Sequence, residues 1–227
     1  MITFCTRFLF TILSIFCLQI GNAQENFLSH WEPEIQLSYN VAPLYSHQFS
    51  IEKRSLIYED NLKFDLVQFD FSHFSQLKLL DNQSVALGLM YRTRATLGGE
   101  KDEFRLTQQY SLTLENPNFR TGHRFRAEQR FSGRPVEHRL RYRVAVDFPL
   151  EGTRLDVGET FFTGSWENLL TLANTEKPSY EQRYSVSIGL LANRKLTFTG
   201  GVEYRLDNYT RSAEHDIFVL SSASFDF

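Results

Sequence analysis

Cysteine stops early in this chain. Its 227 residues contain two, Cys5 and Cys17, so nothing after residue 17 is able to form a disulfide. An exported domain of this size without disulfides has to be held by a large core or by a closed sheet. Lysine is scarce, since 18 of the 24 basic residues are arginine, the cation suited to planar, paired contacts. An excess of positive charge is lacking as well. The formal charge is −3 and the isoelectric point about 6.1, which argues against a general nucleic-acid binder. The histidines are His30, His47, His73, His123, His138 and His215. None stands in a His-x-His or His-x3-His spacing, so no metal site and no cofactor is expected. Helical periodicity is missing throughout the chain beyond residue 24.

The N-terminus reads as a secretory leader. Arg7 precedes an apolar run from Phe8 to Ile20, and Gly21-Asn22-Ala23 supplies small residues at the cleavage determinants. The run is shorter than the roughly 20 residues a membrane-spanning helix needs. The residues before Cys17 (Ser14-Ile15-Phe16) are not those of a lipoprotein signal. Cleavage is expected after Ala23, which gives a leader over residues 1–23 and a single domain over 24–227. Removing Arg7 takes the formal charge from −3 to −4.

After the leader, apolar and polar residues alternate in long runs broken by turn residues. Trp31, Ile35, Leu37, Tyr39 and Val41 alternate with Glu32, Glu34, Gln36 and Ser38. Val85, Leu87, Leu89 and Tyr91 share one face, with Gly88, Arg92 and Arg94 on the other. Similar runs are read over 67–79, 104–114, 119–131, 136–148, 155–162, 183–190, 196–206 and 217–227, with a long loop over 163–180. Several reach about 11–13 residues, against about 5–6 in soluble sheets and the ~9–11 of a tilted membrane strand. The apolar face carries almost no charge and the opposite face carries both signs. The chain closes on Phe225 and Phe227, read as a C-terminal insertion signal for the barrel-assembly machinery. The fold expected is an all-β, antiparallel transmembrane β-barrel of twelve strands, with ten as the alternative. It would sit in the bacterial outer membrane, in contact with its lipid. A periplasmic β-sandwich is the rival architecture.

Trp31, the run Glu137-His-Arg-Leu-Arg-Tyr-Arg143 and Tyr180-Glu-Gln-Arg183 ahead of Gly189 resemble an uncharacterised family of Gram-negative outer-membrane barrels, domain of unknown function 2490. The resemblance extends over the chain after the leader. It implies a barrel fold and an outer-membrane location, and it carries no established activity.

The chemistry lies in an arginine-rich hairpin. Tight pairing across 132–135 sets Arg130 opposite Glu137, Glu128 opposite Arg139, Arg126 opposite Arg141 and Arg124 opposite Arg143. A turn at 115–118 sets Glu103 opposite Arg130 and Arg105 opposite Glu128, and pairing Leu97 with Phe104 brings in Arg92 and Arg94. Glu103, Arg105, Glu128, Arg130, Glu137 and Arg139 then form a layer of alternating sign, the favourable cross-strand arrangement. Arg92, Arg94, Arg124, Arg126, Arg141 and Arg143 form a patch with no acid of its own. Glu32, Glu34, Asp70, Asp147, Asp156 and Glu203 are the carboxylates that would reach such a patch from other walls. The expected function is a narrow passive pore for small anionic solutes, with those six arginines as its lining, since basic rings select anions. The alternatives are a closed structural or docking barrel with a salt-bridged interior, and a lipid-modifying enzyme using the outward His123 or His138. No nucleophile–base–orienter set stands beside either histidine, so no catalytic residue and no enzyme is expected.

Overall fold

A computed structural model describes residues 27–94, 101–133, 135–173 and 176–227. The leader, its cleavage site and Leu97 lie outside the described residues. Eleven strands follow one another without a helix among the described residues: β1 (Phe27–Ala42), β2 (Tyr45–Glu59), β3 (Asn61–Leu80), β4 (Gln83–Thr93), β5 (Glu103–Glu115), β6 (Arg120–Phe131), β7 (Glu137–Pro149), β8 (Thr160–Ala173), β9 (Glu176–Asn193), β10 (Leu196–Asp207) and β11 (Glu214–Asp226). Each consecutive pair is antiparallel, and β1 pairs with β11 to close the barrel. With eleven strands, the closing pair has to be parallel, and it is: Trp31 lies beside Val219 and Leu37 beside Phe225. The expected twelve strands are therefore eleven, and the sheet is antiparallel except at this seam.

Two stretches differ from the runs read in the sequence, and the first changes the count. Residues 45–59 form β2, which pairs with β3 through a register shift at Arg54/Ser55 that leaves Val67 of β3 as the extra residue and slips the apolar phase there. Residues 163–180, expected as a loop, form most of β8 and the start of β9, while the stretch expected as a strand over 155–162 is largely the β7–β8 turn. In β8 the inward Leu169 and the outward Asn168 and Gly164 break the alternation that would have revealed it.

Outside and inside are inverted relative to a water-soluble domain. Among the described residues only Ala86, Leu169 and Phe218 are buried apolar residues, whereas Glu103, Glu128 and Asp70 are each 2% exposed. Ile35 and Leu87 are 61% exposed, in company with Phe71, Phe125, Leu140, Val186 and Phe198. A soluble monomer rarely shows contiguous apolar patches beyond a few hundred Å². Here that face runs along every strand.

The parallel seam is stapled from within. Glu32 on β1 accepts hydrogen bonds from Arg54 on β2 and, at 2.9 Å, from Arg205 on β10. Both guanidiniums lie over the Phe218 ring, Arg205 at 3.5 Å and Arg54 at 5.0 Å, and His30 stacks on the same ring. Outside, the Trp31 indole N–H donates to Ser221 across the seam at 3.1 Å.

Candidate functional site: the charged lumen

Polar side chains reach the lumen because strand residues alternate in direction and the apolar set faces out. A closed barrel also tilts its strands by about 35–45°. Side chains at one height are therefore not register partners but diagonal neighbours, two residues along the adjacent strand. That offset governs the charge pairing. Arg126 and Arg141 are register partners, as are Arg124 and Arg143, Glu128 and Arg139, and Arg130 and Glu137, as the sequence predicts for the β6–β7 hairpin. Of these, only Arg130 and Glu137 form an ion pair, at 2.9 Å. Glu128 turns from Arg139 to the diagonal Arg141 at 3.0 Å and Arg105 at 3.5 Å.

The β5–β6 register is two residues off expectation. The loop spans 116–119, closed by the Asn116 N–H donating to the Phe119 carbonyl, so Arg105 faces Arg130 and Gln109 faces Arg126. Glu103 still binds Arg130 and Arg105, both at 2.6 Å, because the diagonal restores the contact. On the other side Arg92 pairs with Glu103 in register, which replaces the expected pairing of Arg92 and Arg94 with the middle of β5. Arg92 forms a two-pronged contact with Asp70 at 2.7 and 2.5 Å. Arg94 reaches Gln68 at 3.3 Å and Glu103 at 3.9 Å.

The predicted layer of Glu103, Arg105, Glu128, Arg130 and Glu137 is thus one connected network. Arg139 leaves it, donating to Thr171 at 2.9 Å and approaching Glu181 at 3.9 Å. The patch expected to lack acids is supplied from neighbouring strands. Asp70 serves Arg92, and Glu167 serves Arg141 at 2.6 Å and Arg124 at 3.3 Å. Glu167 lies in the stretch expected as a loop, and Glu181, which binds Arg183, lies just after it in the Tyr180-Glu-Gln-Arg183 motif, to which the sequence assigns no charge pairing. Arg54, Arg205 and Phe218 went unremarked because their grouping depends on a seam that pairing of sequence neighbours does not reveal. Of the acids expected to reach across, Glu32, Asp70 and Glu203 form lumen ion pairs. Asp147 pairs with Arg120 near an end of the barrel, and Asp156 lies in the β7–β8 turn.

Two of the six arginines remain without a carboxylate among the described residues. Arg126 donates to the Gln109 amide oxygen at 2.7 Å and lies 5.1 Å from the Phe74 ring centre. Arg143 has a buried Nε with no hydrogen-bond partner, as do Arg124 and Arg141. The network leaves a cavity of about 790 Å³, lined by fourteen cationic and nine acidic side chains. Toward the end where β1 finishes, the inward residues are small and mostly uncharged: Ser165 and Ser185 share a hydrogen bond at 2.6 Å, and Ser50 and Ser72 one at 3.3 Å. Phe74 and Phe161 lie over Gly88 and Gly189 on adjacent strands, so closely that a Cβ at either glycine would fall 2.3 and 2.1 Å from the ring.

On the outer face His123 meets the Tyr142 hydroxyl at 3.0 Å and stacks on its ring. His138 is exposed. Phe225 sits beside Leu37 at the seam, and the Phe227 N–H donates to the Ser38 carbonyl at 2.8 Å, so both C-terminal aromatics belong to the closure.

The profile of the family described as "Protein of unknown function (DUF2490)" matches residues 33–215. The chain belongs to this family. In this DUF2490 chain the match runs from β1 into the first residues of β11, so the family's signature includes nearly all of the lumen network. No curated protein matches. Among solved structures, the barrel is similar to the siderophore receptor PirA from Pseudomonas aeruginosa, at 12% identity and a TM-score of 0.30. The similarity covers 75% of this chain and 34% of the receptor, so the chain spans about a third of that protein.

Proposed function

We propose that this DUF2490 protein is an outer-membrane β-barrel of a Gram-negative bacterium, exported by a leader cut after Ala23, and that its lumen is a narrow passive pore favouring small anions. The apolar outer face supports the location, since a band of exposed Ile, Leu, Val and Phe on every strand is what lipid contact requires. One observation carries the pore reading: the salt bridges do not fill the barrel, and the remaining cavity has an excess of cationic over acidic lining. Arg124, Arg126 and Arg143 face that cavity without full pairing and form its selective wall together with Arg92, Arg94 and Arg141. The C-terminal strand would engage the assembly machinery through Phe225 and Phe227. The test is conductance of the purified protein in a planar bilayer, checked beforehand for heat-modifiable migration. Stable unitary steps support the pore. Silence from a verified folded barrel favours the closed, docking barrel, whose supporting observation is the unbroken chain of ion pairs through Glu103, Arg105, Glu128, Arg141 and Glu167.

A further inference from the structure

The lumen charges are sorted by wall as well as by height. In the ring of eleven strands, β1 lies diametrically opposite the β6–β7 hairpin. Glu34 on β1 and Glu52 on β2 face the cavity, and neither forms an ion pair among the described residues. On the hairpin opposite stand Arg126 and Arg143, likewise without a carboxylate, beside Arg124, whose Nε is free. Strand tilt lowers the register row that leaves Arg126 through Gln109, Ala86, Gln76 and Ser46 until it meets Asn40 on β1. Correcting by one to two residues per strand for the usual tilt returns the height of Arg126 to about that of Glu34.

Uncompensated like charges on one wall are costly unless something answers them. The opposing wall answers them in sign, with the cavity in between. We infer that the middle of the lumen is a binding site for a small zwitterion, a solute with a carboxylate and an ammonium a few carbons apart. The carboxylate takes the guanidinium donors of Arg126 and Arg143, whose fork suits bidentate contact. The ammonium lies toward Glu34 and Glu52. A simple anion would satisfy only one wall. This deepens the pore reading by naming the solute class, and it rests on that reading only in requiring that water and solutes reach the lumen from one mouth.

The test uses three solutes of one chain length: 4-aminobutyrate, butyrate and butylammonium. Protein purified from membranes of cells expressing the full chain is titrated calorimetrically in detergent, and in parallel the solutes are added to bilayer recordings. 4-Aminobutyrate is expected to bind about ten-fold or more tightly than either single-ended analogue, the worth of one added charge-assisted contact. The double variant E34Q/E52Q should reduce it to the butyrate level, and R126Q/R143Q to the butylammonium level. None of these four side chains holds another in an ion pair, so both variants should keep the wild-type unfolding midpoint. If butyrate binds as tightly as 4-aminobutyrate and ignores E34Q/E52Q, the zwitterion site is wrong while an anion pore stands. Binding of 4-aminobutyrate to a barrel that carries no current would uphold the site and remove the pore. No binding of any of the three overturns the inference.

Discussion

The upper lumen, toward the end where β1 begins, is a lattice of guanidiniums and carboxylates. The lower lumen, toward the end where β1 finishes, is lined by hydroxyls, glycines and two aromatic rings. Both belong to one continuous sheet, and both are walled by the same apolar outer face. The difference is in how each fills the space that a closed barrel encloses. Above, long charged side chains pair between neighbouring strands, and Glu103, Glu128 and Glu167 are almost fully buried. Below, Ser165 pairs with Ser185 and Ser50 with Ser72 along the wall. Ion pairing is concentrated in the upper half and short neutral side chains in the lower. The middle, where Arg126 and Arg143 meet no acid, belongs to neither.

This contrast is most easily broken at Glu103, the carboxylate that binds both Arg105 and Arg130 at 2.6 Å. Glu103→Ala leaves two buried guanidiniums short of a partner, and an urea unfolding series in lipid vesicles should lose about 3–5 kcal/mol. Ser187→Ala, on the lower wall, should stay within about 0.5 kcal/mol. An equal loss at both positions would remove the distinction between the halves.

Glu32→Gln at the parallel seam should cost somewhat less, about 1.5–3 kcal/mol, because it weakens two charge-assisted hydrogen bonds while Phe218 still holds both guanidiniums. The same unfolding series reads it. Gly88→Ala sharpens the lower half. Its Cβ would fall 2.3 Å from the Phe74 ring, which must swing into the lumen at a cost of about 1–3 kcal/mol, and unitary conductance should drop as the neck narrows. Unchanged conductance would mean that Phe74 does not face the conducting path. At the small end, Arg120→Ala removes a pair with Asp147 whose arginine is mostly exposed. Such rim pairs contribute at most about 1 kcal/mol, so no more than a marginal shift in unfolding midpoint is expected.

Much of this was legible before the fold was known. The inward direction of Arg124, Arg126, Arg139, Arg141 and Arg143 follows from strict alternation, and the β6–β7 register follows from the short loop between the arms. What did not follow was who pairs with whom. Register alone implies adjacency, but tilt makes the diagonal neighbour the one at equal height, so Glu128 pairs with Arg141 and not Arg139. Glu167 is not visible as a lumen residue because Leu169 faces inward and Asn168 outward, which reads as loop by pattern alone. The strand count differs at β2, whose pairing with β3 slips by one residue at Val67 and so blurs the alternation between them. A parallel seam leaves no local trace in sequence, since it joins residues some 190 positions apart.

The central claim is that a cationic middle lumen passes small anions. The direct measurement is the reversal potential of single channels under a potassium chloride gradient, for the wild-type protein and for R126Q/R143Q. The account predicts a potential on the chloride side for the wild type and a value moved toward zero in the double variant, with unfolding unchanged. A cation-selective or unselective wild-type channel, or a double variant indistinguishable from it, would contradict the account.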